Sequence, residues 1–265
     1  MNKKIKNTIM SLLIDFASVP SLTGQEGKMI EKISKYFLPA YPFHDFYSIY
    51  KKNEPFCAFI TSFISPPTYV LVVHLDRVPD SSGLPYCTVP EDKGDFIKGQ
   101  LDDTIGIAIA YYIYFFSKKP VSVLFTTKEE ITSSWPQIMM FLKTFSPHNR
   151  CIVPIGIDID IFNRFPVKQG VISLRQCDDA GNMDLRYVSL FREQADYLSI
   201  PWVFEEGRSI TEIGALSNHT KGELQGVHIG LPLLNYHTDK EKVQWEAVFN
   251  AIKLITSVLS ITSTS

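Results

Sequence analysis

The run Tyr69-Val-Leu-Val-Val-His-Leu-Asp76 places the strongest constraint on how this chain folds. Its apolar, largely β-branched start is typical of a strand that is buried on both faces of a sheet. It ends in a histidine and a carboxylate, and polar groups in that position lie where parallel α/β sheets place their chemistry. We therefore expect a functional site beside His74 and Asp76, with partners supplied by the rest of the chain.

Other apolar runs end in the same way. The run from Val121 leads into Glu129 and Glu130, and the run from Cys151 leads into Asp158. Because helical patterns alternate with these runs, the sequence predicts an α/β fold with a mostly parallel, mixed sheet and helices on both faces. Helices are expected at 5–17, 25–37, 104–117, 134–145, 187–198, 211–219 and 239–260. Further strands are expected at 43–50, 56–64, 200–204 and 228–234, and a loop or short strand pair at 78–99.

Composition narrows the class of protein. With 265 residues, 45% hydrophobic and 20% charged, the chain can bury a substantial core, and we interpret residues 1–265 as a single domain with a disordered tail at 261–265. A formal net charge of −2 gives no basic excess, so neither nucleic acid nor an anionic membrane is an expected partner. No apolar run approaches the roughly 20 residues of a membrane span.

Two features bear on location. Asp15 interrupts the apolar run near the N-terminus, which favours an amphipathic first helix over a signal peptide. The four cysteines lie far apart without a C-x-x-C pair, which is typical of a reduced, cytoplasmic protein with cysteines in its core.

The polar residues at the strand ends form a set that suits a metal site. A lone histidine or glutamate pair is more often structural, but here several sites follow apolar strands or flank a glycine turn. Imidazole and carboxylate groups together are the ligands of zinc-like ions. The set comprises His74, Asp76, Asp102, Asp103, Glu129, Glu130, Asp158, Asp160 and His237.

Six motifs in the same order resemble the co-catalytic di-zinc aminopeptidases, in particular the glutamyl aminopeptidase and tetrahedral aminopeptidase branch. They are His74-Leu-Asp76, Leu101-Asp-Asp-Thr-Ile-Gly106, Thr127-Lys-Glu-Glu130, Gly156-Ile-Asp158, Thr211-Glu-Ile-Gly-Ala215 and Asn235-Tyr-His-Thr238. The resemblance starts at Ser21 and covers nearly the whole chain. It implies a zinc-aminopeptidase or phosphorylase-like α/β/α sandwich.

The resemblance also implies a role for each residue. His74 and Asp158 hold one divalent ion, Glu130 and His237 hold the other, and Asp102 bridges both. The ions are expected to be zinc, with cobalt or manganese as alternatives. Asp76 receives the other N–H of the ligand imidazole. Glu129 is the general base that takes a proton from a water held between the ions.

Four details remain open at this stage. Asp160 is the rival of Asp158, since residues two apart on a strand share a face. Asp103 is expected to follow a cis peptide, as the equivalent residue in the family often does. Glu212 replaces the family's aspartate and could reshape the substrate pocket, and the residues from Ile131 depart from the family's valine-glycine turn. The remaining histidines, His44, His148, His219 and His228, are interpreted as non-ligands.

One departure concerns assembly. The family inserts a β-rich dimerisation domain between the His-x-Asp strand and the bridging aspartate, but here only residues 77–101 lie there. We therefore expect the catalytic domain alone, as a monomer or small homo-oligomer rather than a large tetrahedral assembly.

The expected function is that of a metallo-aminopeptidase that hydrolyses short peptides or aminoacyl amides. One alternative is a related di-zinc deacylase or carboxypeptidase, suggested by Asp76-Arg-Val-Pro79, although no lid domain is inserted between Glu130 and His237. A second alternative is a non-catalytic relative that binds peptides.

Overall fold

The structure, a computed structural model, describes residues 3–37, 44–62, 68–79, 83, 88–117, 119–132, 134–145, 152–161, 169–205 and 210–261. The helices are α1 (Lys3–Ala17), α2 (Gly27–Phe37), α3 (Thr104–Phe116), α4 (Glu129–Thr132), α5 (Trp135–Phe145), α6 (Leu185–Tyr197), α7 (Glu212–His219) and α8 (Trp245–Ile261). The strands are β1 (His44–Lys51), β2 (Glu54–Ser62), β3 (Tyr69–His74), β4 (Glu91–Lys93), β5 (Phe96–Gly99), β6 (Ser122–Thr126), β7 (Val153–Ile161), β8 (Ile172–Arg175), β9 (Trp202–Glu205), β10 (Val227–Leu234) and β11 (Glu241–Gln244).

These strands form one mixed sheet with a parallel centre. Its main order is β1-β2-β6-β3-β7-β10-β11-β5-β4, with β8 and β9 joined through β10. The central strands β6, β3, β7 and β10 are mutually parallel, and β2, β11 and β8 pair with this group antiparallel. Strand β9 pairs parallel with β8. The predicted mixed α/β sheet is therefore confirmed, and its parallel part is the part that carries the predicted site residues.

Strand β3 lies in the middle of this parallel group. All six of its residues are buried, which explains why the sequence there is apolar without alternation. Helix α3 packs on β3, β6 and β7, while α5 packs on β6 and α7 packs on β7. The pairing register sets His74 beside Thr126, the last residue of β6, so the polar residues that follow both strands meet at one edge of the sheet.

An aromatic cluster joins α2 to the sheet. The ring of Phe37 lies 5.2–5.5 Å from the rings of Tyr111, Tyr114, Phe115 and Phe125. Edge-to-face and tilted arrangements at this separation are favourable beyond simple burial. The cluster fixes α2 and α3 against β6.

The sequence prediction was wrong at three elements. Residues 241–244 form β11, although the helical pattern predicted that the last helix begins at 239; pairing with β10 and β5 outweighs the local preference. Strand β8 has no counterpart in the predicted elements. Glu129 begins the one-turn helix α4, which also has no counterpart in the predicted elements.

Several predicted features lie outside the described residues. They include Cys87, Cys151 and His148, the start of the first hairpin strand at Phe43, residues 63 and 64 of the second, and the tail at 262–265. Cys57 and Cys177 are described as free thiols, and Cys57 is buried. Among the described helices, none combines the length and apolar character needed to cross a bilayer.

The aromatic cluster generates a prediction about stability. Phe37→Ala should lower the free energy of unfolding by about 3–5 kcal/mol, because Phe37 is fully buried and its loss leaves a cavity among four rings. Urea unfolding followed by circular dichroism measures this. Tyr197→Ala is the matched control, since Tyr197 is 81% exposed, and should change stability by no more than about 0.5 kcal/mol.

Candidate metal centre

His74 lies at the carboxyl end of β3 with its ring fixed at both nitrogens. Its Nδ1 is 3.0 Å from the backbone carbonyl oxygen of Asp76, a geometry in which the ring N–H donates. Its Nε2 therefore faces Asp102 Oδ1 at 3.0 Å and Asp158 Oδ1 at 3.6 Å. Burial lowers the pKa of His74, but these carboxylates outweigh it and raise the pKa well above its usual value.

Asp102 faces two histidines with its two oxygens. Its Oδ1 lies 3.0 Å from His74 Nε2, and its Oδ2 lies 3.5 Å from His237 Nε2. Burial alone would raise the pKa of Asp102, but the two imidazoles lower it below its usual value. The carboxylate is placed to touch two different partners at once. The peptide bond between Asp102 and Asp103 is cis, as expected from the resemblance.

Glu130 and His237 form the second half of the cluster. His237 Nε2 lies 3.4 Å from Glu130 Oε2. Burial lowers the pKa of His237, but Asp102 and Glu130 raise it to about 9. Two buried atoms in this half, Glu130 Oε1 and His237 Nε2, have no hydrogen-bond partner in the part of the chain that the structure describes. Buried polar atoms are rarely left in that state without a functional reason.

The ligand-type atoms converge in two groups. Nitrogen or oxygen atoms of His74, Asp102 and Glu130 lie within 4.8 Å of one another, and so do those of His74, Asp103 and Asp158. Asp103 belongs to the predicted set of polar residues at the strand ends, although the resemblance did not assign it as a ligand. One of its oxygens accepts from the backbone N–H of Gly106 and caps α3, while the other has no hydrogen-bond partner among the described residues.

Asp76 connects the two strands that carry the site. Its Oδ1 accepts from the backbone N–H of Glu129 at 2.9 Å, and its Oδ2 accepts from that of Glu130 at 3.1 Å. Its carboxylate is 3.6 Å from His74 Nδ1, so the imidazole N–H goes to the Asp76 backbone carbonyl instead. The side chain predicted to orient His74 mainly fixes the glutamate pair.

The turn between α1 and α2 supports the same region. The hydroxyl of Ser21 donates to the backbone carbonyl of Leu75, and that of Thr23 donates to Asp76 Oδ2. Glu26, which is fully buried, accepts from the backbone N–H of Lys128 at 3.1 Å. The backbone of Lys128 has a φ of 62°, an unfavourable conformation for this residue type that turns the chain toward Glu129.

Glu129 is held beside this cluster. Its backbone is fixed by Asp76, and its side chain is half-buried. Burial, together with the negative charges of Asp158, Glu212 and Glu130, raises the pKa of Glu129 well above its usual value. A carboxylate whose pKa is raised is a stronger proton acceptor than an ordinary glutamate, which suits a general base.

Asp160 lies apart from the cluster. It is fully buried and makes short contacts with the Arg175 guanidinium and the Ser173 hydroxyl, and His228 Nε2 is 3.8 Å away. Burial opposes its charge, but Arg175 lowers the pKa of Asp160 below its usual value. Asp158, two residues earlier on β7, faces His74 instead. Of the remaining described histidine rings, that of His219 stacks on Trp135 at 4.2 Å.

Sequence reasoning gave no role to Glu241 or to Tyr236 near the site, and it placed Glu212 in a different environment. Glu241 is buried and hydrogen-bonded to the backbone of the Asp102 loop; burial and the charge of Asp102 raise its pKa to about 8. Glu212, expected in the substrate pocket, instead accepts at 2.5 Å from the hydroxyls of both Thr126 and Ser134. The ring of Tyr236 stacks on His237 at 3.5 Å. A buried glutamate after a turn carries no pattern that distinguishes it from an exposed one.

These residues fit a pair of divalent ions. The possible metal ligands are imidazole nitrogens and carboxylate oxygens. Both are common ligands of zinc, as are thiolates. The orphaned atoms on Glu130 and His237 lie where a ligand bond would satisfy them. The carboxylates also place a concentration of negative charge in a buried region, which bound cations would neutralise.

The fold matches solved aminopeptidase structures over nearly the whole chain. A TET aminopeptidase from a marine sediment archaeon of the Thaumarchaeota aligns with a TM-score of 0.76 at 13% identity, covering 96% of this chain and 97% of that one. The TET1 peptidase of Pyrococcus horikoshii can assemble into a tetrahedron or a large octahedral shell. It aligns with a TM-score of 0.70 at 12% identity, covering 95% of this chain and 99% of that one. An M18-family aminopeptidase from Thermotoga maritima aligns with a TM-score of 0.72 at 10% identity, covering 98% of this chain and 97% of that one.

At these identities the likeness establishes the fold, which is the α/β fold of these aminopeptidases. No protein-family model and no curated protein matches the sequence.

The different surroundings of the two aspartates on β7 generate a prediction. Asp160→Asn should lower the free energy of unfolding of the metal-free protein by about 3–5 kcal/mol, because it removes the carboxylate that pairs with the buried guanidinium of Arg175. Asp158→Asn should leave that free energy within about 1 kcal/mol but weaken zinc binding.

Urea unfolding and isothermal titration with zinc separate the two effects. Loss of zinc binding in Asp160→Asn, with normal binding in Asp158→Asn, would reverse the assignment.

Proposed function

We propose that this protein is a metallo-aminopeptidase that hydrolyses short peptides or aminoacyl amides with the help of two divalent ions. The observation that carries the proposal is the placement of Asp102, one oxygen of which lies 3.0 Å from His74 Nε2 and the other 3.5 Å from His237 Nε2. A carboxylate can bridge two ions, whereas an imidazole in this role cannot.

The distances support one division of the ligands. His74 and Asp158 would hold the first ion, since their ligand atoms are 3.6 Å apart. Glu130 and His237, 3.4 Å apart, would hold the second. We propose zinc as the metal, with cobalt or manganese as alternatives. When bound, two such ions polarise the scissile carbonyl and lower the pKa of the attacking water.

Glu129 would act as the general base and acid. Its raised pKa allows its carboxylate to take a proton from the attacking water and then to give that proton to the leaving amine. Asp76 is a positioning residue in this scheme, because its carboxylate holds the backbone of both Glu129 and Glu130.

The shared fold favours an aminopeptidase over the related deacylase, because the aligned structures named above are peptidases. The stretch Asp76-Arg-Val-Pro79, which suggests the deacylase, has a structural role here. Arg77 is buried and its guanidinium donates to the backbone carbonyls of Phe16 and Ala17, at the end of α1. The match in this stretch therefore has an explanation that does not involve substrate.

We further propose a single catalytic domain without the family's inserted dimerisation domain. The described part of residues 77–101 forms the hairpin β4–β5, which pairs with β11 at the edge of the main sheet. A cytoplasmic monomer or small homo-oligomer accords with this proposal.

A substrate panel tests the reaction class. The zinc- or cobalt-loaded protein should release the leaving group from aminoacyl amides with a free α-amine faster than from their N-acylated counterparts. The reverse preference would favour the deacylase, and no hydrolysis of either set would favour a peptide-binding relative.

The general base generates its own prediction. Glu129→Gln should lower kcat by about 100- to 10,000-fold, because glutamine cannot accept the proton from the attacking water. Metal content should stay at the wild-type value, since Glu129 is not a proposed ligand. Steady-state kinetics and metal analysis of the same sample measure both quantities.

Glu193→Gln provides the control, because Glu193 is an exposed residue of α6. If Glu129→Gln kept wild-type kcat, Glu129 would have another role. If it lost metal, Glu129 would be a ligand.

A further inference from the structure

Glu241 is a buried acid outside the proposed ligand set. It is the first residue of β11, and only 1% of it is exposed. The turn that carries His237 precedes β11, and β11 pairs with β5 so that Glu241 lies opposite Gly99. Its position is therefore between the His237 turn and the loop that leads to Asp102.

The carboxylate of Glu241 binds both segments through their backbone. Its Oε2 accepts from the N–H of Leu101 at 2.5 Å and of Asp102 at 3.2 Å. Its Oε1 accepts from the N–H of His237 at 3.0 Å. One side chain thus satisfies three backbone donors on two separate segments, and each segment carries a proposed ligand.

We propose that Glu241 is a positioning residue that fixes the His237 turn against the Asp102 loop and so sets the affinity of the site for the ion that His237 holds. This inference rests on the proposed function. Glu241 touches neither the substrate nor the reacting atoms, and it acts through the backbone of the two ligands.

The role requires a carboxylate. Three donors converge on the side chain from two directions, so both of its oxygens must be acceptors. A glutamine at this position has one oxygen and one amide nitrogen, and the nitrogen is a donor only. In Glu241→Gln at least one backbone N–H would face the N–H group of the side-chain amide. The lost hydrogen bond would allow the His237 turn or the Asp102 loop to shift.

Asp76, like Glu241, holds site residues through their backbone N–H groups. The two carboxylates differ in which proposed ligands they hold. Asp76 holds the glutamate pair and lies against His74, so it touches the surroundings of both proposed ions. Glu241 binds the backbone of Asp102 and His237, whereas His74 and Asp158 are held on β3 and β7. Asp102 is a proposed ligand of both ions, whereas His237 is a proposed ligand of only one. Loss of Glu241 should therefore weaken the ion that His237 holds more than the other ion.

Titration calorimetry of the full chain with zinc tests this inference. Glu241→Gln should weaken binding of the ion that His237 holds by about 10- to 100-fold and binding of the other ion by a smaller factor, as expected for a residue that orients a ligand. Glu246→Gln is the matched control, because Glu246 is an exposed glutamate on α8, five residues away, and should bind both ions as the wild type does.

Each outcome decides the matter. Unchanged affinities in Glu241→Gln overturn the inference, and so does equal weakening of both ions, which would indicate a merely structural role. A wild-type protein that binds fewer than two ions contradicts the proposed function itself, and the inference falls with it.

Circular dichroism of the metal-free variants verifies folding. If Glu241→Gln does not fold, Glu241→Asp becomes the deciding variant, since it keeps both oxygens but shortens their reach. Selective weakening of one ion in Glu241→Asp supports the inference, and wild-type binding of both ions overturns it.

Discussion

Buried carboxylates at the carboxyl end of the parallel strands are the constraint on which this structure depends. Charged groups are costly to bury unless they are paired, hydrogen-bonded or neutralised by cations. The chain meets this constraint largely with backbone N–H groups: Asp76 accepts from Glu129 and Glu130, and Glu241 accepts from Leu101, Asp102 and His237. Asp102, Glu130 and Asp158 instead face the imidazoles of His74 and His237, where bound cations would neutralise them.

The fold explains why these groups meet. Strands β3, β6 and β7 are parallel and adjacent, so the residues that follow them lie at one edge of the sheet. The Asp102 loop and the His237 turn reach the same edge through the antiparallel pairing of β5, β11 and β10. Elements far apart in the sequence therefore contribute to one site, which is the arrangement expected when ligands sit at the carboxyl ends of strands in an α/β protein.

Part of this arrangement was predictable, since the apolar runs before His74 and before the glutamate pair are typical of buried strands in a parallel sheet. That the two strands are neighbours is known only from the structure. The rest depends on contacts between distant residues. Asp158 and Asp160 share a local pattern, and only the position of Arg175 on β8 separates them. The pattern at 239–244 is compatible with a helix, and pairing with β5 and β10 makes it a strand. The role of Glu241 follows from that pairing, so no local pattern reveals it.

We propose that Asp102 is a ligand of both divalent ions in one site. The most direct test is the number of zinc ions retained per chain after dialysis, measured by elemental analysis on the wild type and on Asp102→Ala. We expect two zinc ions per chain in the wild type and at most one in Asp102→Ala, because the variant lacks the carboxylate between His74 and His237. Wild-type protein that retains no zinc, or an Asp102→Ala variant that retains two zinc ions per chain, would contradict the proposed role of Asp102.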